Sequence, residues 1–68
     1  MNKIKRDLKK MLGFSKEEIE EFIKDVKDYY KTYGSVSFAQ NELKKTFWAN
    51  RMSPNFFNEI ILKILKNK

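Results

Sequence analysis

The 68-residue chain has no cysteine and no histidine, a single proline and only two glycines. Without cysteine there is no disulfide and no thiolate nucleophile. Without histidine there is no imidazole base, so neither a Ser-His-Asp nor a Cys-His arrangement can be assembled. The same two absences remove the usual zinc ligand sets. Neither glycine stands in a phosphate-cradling motif. No metal or cofactor is therefore expected, and the chain does not read as an enzyme. Long apolar runs are missing too: none approaches the roughly 20 residues of a membrane span. The amino-terminal residues alternate basic and apolar character instead of forming a signal-peptide core. These features point to a soluble, cytoplasmic protein. A membrane-surface helix over residues 1–12 is the least favoured reading, because the apolar face of that helix has four residues and no Trp or Phe.

What is present is aromatic and basic. A chain of this length is one domain, 1–68, and buries only about 60% of the surface its unfolded form exposes. With disulfides and zinc excluded, stability has to come from dense packing, and six Phe, three Tyr and one Trp supply it. The net charge of +6 is unevenly spread. Residues 1–12 carry +4, residues 13–33 carry −2, and residues 34–68 carry +4. A basic pole beside an acidic helix is what polyanion binding requires, although a lysine-rich solubility pattern gives a similar distribution.

Helical periodicity runs through the chain. Ile4, Leu8, Met11 and Leu12 lie on one face of a short amphipathic helix closed by Gly13. Its other face carries Lys3, Lys5, Arg6, Lys9 and Lys10, and residues 1–13 either pack on the body or lie loosely as a cationic arm. Ser15 and Glu18 have capping-box spacing, with Phe14 and Ile19 placed to staple the helix start. Acidic residues in the following turns complement the helix dipole, which accounts for that cluster without a metal. The stripe continues to Tyr33, and Gly34 stops it. Ser37 and Gln40 repeat the capping-box spacing, predicting a second core helix over 38–48. Ser53 followed by Pro54 predicts a third over 54–67, with Met52 and Phe57 as its staple. The expected core centre is Phe22, Val26, Tyr30, Leu43, Phe47, Phe57, Ile61 and Ile64.

This order of elements resembles the tri-helical helix-turn-helix and winged-helix superfamily. Leu43-Lys44-Lys45-Thr46-Phe47 looks like the core segment of its second helix. Ser53-Pro54-Asn55-Phe56-Phe57-Asn58-Glu59-Ile60-Ile61 is similar to the opening of its recognition helix. The resemblance covers about half of the chain. It implies an all-α fold, a small three-helix bundle of helix-turn-helix type over 14–68, preceded by the short basic helix. It further implies a nucleic-acid-binding protein, double-stranded DNA being the expected ligand, that acts in transcription regulation or as an accessory factor. The third helix would enter the major groove, with Asn55 and Asn58 reading bases and Lys44, Lys45, Arg51 and Lys63 on phosphates or, for Arg51, a guanine edge. The arm residues Lys3, Lys5, Arg6, Lys9 and Lys10 would add affinity without specificity. Lys24 and Lys27, on the acidic helix, are expected away from the contacting side. Aromatics beside basic residues, Phe47 and Trp48, either stack on unpaired bases or belong to the core.

Two further partners follow from apolar residues. Leu62 lies off the densest stripe of the third helix, which suggests a homodimer interface there. The competing reading is a protein-interaction module, a small inhibitor or adaptor docking on a larger enzyme through that same helix.

Overall fold

The computed structural model describes residues 2–66, and within them every regular element is helical. Four α-helices follow in order: α1 (Asn2–Leu12), α2 (Lys16–Tyr33), α3 (Val36–Leu43) and α4 (Pro54–Lys66). A 3-10 segment, Phe47–Arg51, lies between α3 and α4. The all-helical bundle matches the expected class, and the short N-terminal helix is present and contributes to the core, so the bundle has four α-helices. No helix is long and apolar enough to cross a membrane among the described residues. Residue 67, placed in the last helix by the sequence pattern, lies outside the described residues.

The first helix docks. Ile4 and Leu8 are both buried, and each contributes about 1.5–3 kcal/mol by leaving water. That is enough to hold an 11-residue helix that would be marginal alone. Gly13, at φ 68°, closes it by donating its N–H to the Lys9 carbonyl at 3.0 Å. This left-handed cap suits glycine because it lacks a Cβ. Gly34 ends α2 in the same way, at φ 77° with its N–H on the Tyr30 carbonyl at 2.8 Å. Phe14, between α1 and α2, is buried as a full member of the core.

The start of α2 follows the sequence pattern. Ser15 Oγ accepts from the Glu18 N–H at 3.2 Å, and Glu18 Oε1 accepts from the Ser15 N–H at 2.9 Å. At 18 residues α2 is about 27 Å long and runs nearly the whole 29 Å length of the molecule. It packs against α1, α3 and α4, with Ile19, Phe22, Ile23 and Val26 in the core.

Three expectations are corrected downstream. The cap of α3 is Ser35, not Ser37: Gly34 turns the chain so sharply that Ser35 is already extended, and its Oγ accepts from the Phe38 N–H at 3.1 Å. Gln40 is therefore not a capping residue and instead donates Nε2 to the Asn58 carbonyl at 3.1 Å, tying α3 to α4. The helix also stops at Leu43 rather than at 48. Thr46 donates its hydroxyl to the Leu43 carbonyl at 2.6 Å, a local bond that competes with helix continuation, and the chain re-enters as the 3-10 segment.

That break re-aims the aromatic pair. Phe47, expected in the core, is 57% exposed, whereas Trp48 is 2% exposed and packs on Phe14 and Phe22 at 5.6 and 5.0 Å between centroids. Tyr30, also expected in the core, is 42% exposed. It lies on the apolar stripe, but α2 outruns the shorter α1 that covers the preceding turns. The remaining six expected centre residues are buried. α4 begins as anticipated, with Ser53 Oγ accepting from the Phe56 N–H at 3.4 Å and Pro54 in the first turn.

Candidate nucleic-acid interface

Ile4 and Leu8 anchor α1 on one side, so its other side faces outward. Lys3, Lys5, Arg6, Lys9 and Lys10 are all exposed there. Among the described residues none of the five is in an ion pair. The arm of the sequence reading is thus a docked basic ridge.

The charges of α2 are sorted by register. At about 100° per residue, Lys16, Lys24 and Lys27 fall on one flank of the apolar stripe with Glu20 among them, and Glu18, Glu21 and Asp25 fall on the other. The lysine flank faces α1. Lys16 shares a depression of about 330 Å³ with Lys5, Arg6 and Lys9, and Lys24 and Lys27 share an adjoining one of about 340 Å³ with Lys5. Their floor is Ile19 and Ile23, and Glu20 and Asp28 are the acids on their walls. On the other side of α1, Lys3 and Ile4 meet Lys63 and Lys66 of α4 in a shallow recess. Lysines from α2 and α4 thus flank α1 on both sides.

The acid flank of α2 faces the 3-10 segment. Glu18 divides its carboxylate between two partners, with Oε1 on the Ser15 N–H and Oε2 accepting from Arg51 Nη1 at 3.0 Å. The backbone bond from Ser15, followed by the bond from Arg51, holds the Glu18 carboxyl below the usual glutamate value of 4.5. The Arg51 guanidinium also lies over the Phe14 ring, 4.8 Å from its centroid. Asp25 Oδ2 accepts from Trp48 Nε1 at 2.9 Å.

The residues expected to contact nucleic acid are differently engaged, and Lys63 sits apart, beside α1. Arg51 is engaged with Glu18 and Phe14. Lys45 pairs with Glu42 at 3.0 Å, and Lys44 is exposed beside it on the α3 side. Asn55 is exposed in the first turn of α4, but Asn58 is half-buried where α3 meets α4, its Oδ1 enclosed without a hydrogen-bond partner. Residues 44–53 separate α3 from α4 and contain the 3-10 segment, far more chain than the 3–4-residue turn of a helix-turn-helix. Lys63 belongs with α1 instead. Lys24 and Lys27, expected away from any contact, join the α1 side. Helical register gathers Lys16, Lys24 and Lys27 on one side of α2, with Glu20 among them, so part of the signal was in the sequence. It was obscured by the net negative charge of the segment.

Leu62 is 36% exposed on α4, but its helix otherwise buries Phe57, Ile60, Ile61 and Ile64. The larger exposed apolar groups lie elsewhere. Tyr33 and Phe38 stack at 5.1 Å and 19° where α2 meets α3, and both are exposed. No group of acidic side chains suited to a metal occurs among the described residues. Comparison with protein-family models, with curated proteins and with solved structures finds no match.

Proposed function

We propose that this protein binds nucleic acid through its phosphates, using the basic surface centred on α1. The observation that carries the reading is the lining of two adjoining depressions by Lys5, Arg6 and Lys9 of α1 and by Lys16, Lys24 and Lys27 of α2, which outnumber the acids Glu20 and Asp28 there. Cations that are not engaged in ion pairs displace counterions from a polyanion without first breaking internal contacts. α4 is not the contacting element in this proposal, because Arg51 is paired, Asn58 is half-buried and the connection before α4 is long. Phosphate contact without base readout suits an accessory factor better than a site-specific regulator. Titration of labelled DNA across a salt series tests the reading. Affinity should fall steeply with salt, and a protein that binds no nucleic acid at low salt does not have this function.

A second reading, the protein-interaction module, is favoured by one observation, the exposed stacked pair Tyr33 and Phe38. Its surface is then the corner between α2 and α3 rather than α4. Loss of a co-purifying partner in a Phe38→Ser variant that melts like the parent supports it.

A further inference from the structure

We infer that the groove between α1 and α2 is a track for a single nucleic-acid strand that ends on Tyr30 as a stacking platform. The inference rests on the nucleic-acid reading above and adds the ligand form and the side chain that meets a base.

The two depressions adjoin along the α1–α2 seam, with Lys5 and Glu20 at their junction. One wall carries Lys5, Arg6 and Lys9, the other Lys16, Lys24 and Lys27, against the acids Glu20 and Asp28. Cations on both walls enclose one phosphodiester backbone between them. Packed helices lie about 8–10 Å apart, whereas the major groove of a duplex is by itself about 12 Å wide. A duplex would rest on the crests and leave the inner ammonium groups unmatched.

Tyr30 lines neither depression but lies beyond them on the same side of α2. Ile19, Ile23 and Tyr30 fall within about 40° of one another around α2, and about 16 Å separates the first from the last along its axis. At the stacked-strand rise of about 3.4 Å per phosphate, that run spans at most about five nucleotides, and fewer in an extended strand. Tyr30 is exposed because α2 extends past α1, so a base leaving the groove meets an open ring. Base stacking on an aromatic at the end of a basic groove is the chemistry of single-strand binding. An acidic amphipathic helix is the competing occupant, and the binding test separates the two.

Fluorescence anisotropy of the full chain with labelled oligothymidylate of about ten nucleotides, at least twice the track length, and with a duplex of equal length, tests this. Both ligands are titrated between about 50 and 200 mM salt. The single strand should bind about tenfold more tightly than the duplex. Tyr30→Ala should weaken it about tenfold while Tyr30→Phe retains affinity. Lys5→Gln/Lys24→Gln should lower the single-strand salt slope by about 1.4, twice 0.7 per phosphate. Equal or tighter duplex binding, or full affinity in Tyr30→Ala, overturns the track and leaves the general reading standing. No binding of either nucleic acid at the lowest salt overturns both, as does capture of an acidic amphipathic peptide in their place.

Discussion

The indole N–H of Trp48 donates to Asp25 Oδ2 at 2.9 Å, joining the 3-10 segment to the middle of α2. It is the polar counterpart of an aromatic cluster in which Trp48 packs on Phe14 and Phe22. Burial of a tryptophan leaves one N–H to satisfy, and Asp25 satisfies it from the acid flank of α2. Asp25→Leu strands that donor inside the protein and should cost about 1–2 kcal/mol. Urea unfolding followed by Trp48 fluorescence measures it. An unchanged midpoint would mean that water replaces the carboxylate without loss.

The same cluster separates core aromatics from surface ones. Phe22→Ala and Phe57→Ala empty fully enclosed sites and should each cost about 3–5 kcal/mol, most of what a small domain has. Phe47→Ser and Tyr30→Ala remove exposed rings and should cost less than about 1 kcal/mol. Thermal melts of the four variants test the assignment. Comparable losses in all four would return Phe47 and Tyr30 to the core.

Local signals were legible in the sequence where a motif and its surroundings agreed. Ser15 with Glu18, Gly13, Gly34 and Ser53 with Pro54 mark helix ends that the structure retains. Periodicity misled where a local bond intervened: the apolar spacing from Leu43 to Phe47 suits a continuing helix, but Thr46 returns its hydroxyl to Leu43 and ends it. Tyr30 sits correctly on the stripe, and only the relative lengths of α1 and α2 leave it exposed. The candidate surface was half legible. The α1 cations were read directly, whereas their α2 neighbours emerge only when two helices are set side by side.

Asn58 offers a test of α4 that does not depend on ligand. Its Oδ1 is enclosed without a partner, while its backbone carbonyl accepts from Gln40. Replacing an unsatisfied buried polar group by an apolar one of similar size is neutral or stabilising. Asn58→Leu should therefore melt at or above the parent temperature and leave nucleic-acid binding unaltered. A base-reading Asn58 would instead lose binding with no gain in stability.

Stability should carry a signature of Glu18 in acid. Its carboxyl is held below the ordinary 4.5 by the Ser15 backbone bond first and by Arg51 next. A depressed carboxyl contributes stability above its unfolded value and loses it as pH falls through the folded one. The parent should accordingly weaken below about pH 4.5 as Glu18 takes up its proton. Glu18→Gln keeps an acceptor for the cap but cannot titrate, so its melting temperature should fall less between pH 7 and pH 3. Parallel pH curves for the two proteins would remove Glu18 from the acid transition.

The sharpest functional comparison sets two lysine pairs against each other. Lys24 and Lys27 share the groove with Lys5, while Lys44 and Lys45 lie on the α3 side, where Lys45 is engaged by Glu42. If phosphate is held along α1, neutralising a contacting lysine reduces the salt slope by about 0.7 for a single strand or 0.9 for a duplex. Lys24→Gln/Lys27→Gln should therefore lower the slope by about 1.4 to 1.8, and Lys44→Gln/Lys45→Gln should leave it nearly unchanged. All four positions are exposed, so both variants should fold as the parent does, and circular dichroism checks this. The reverse ranking would restore a contact surface on the side of α3 and α4. Equal losses would mean that binding follows total charge and that no particular face of the protein docks.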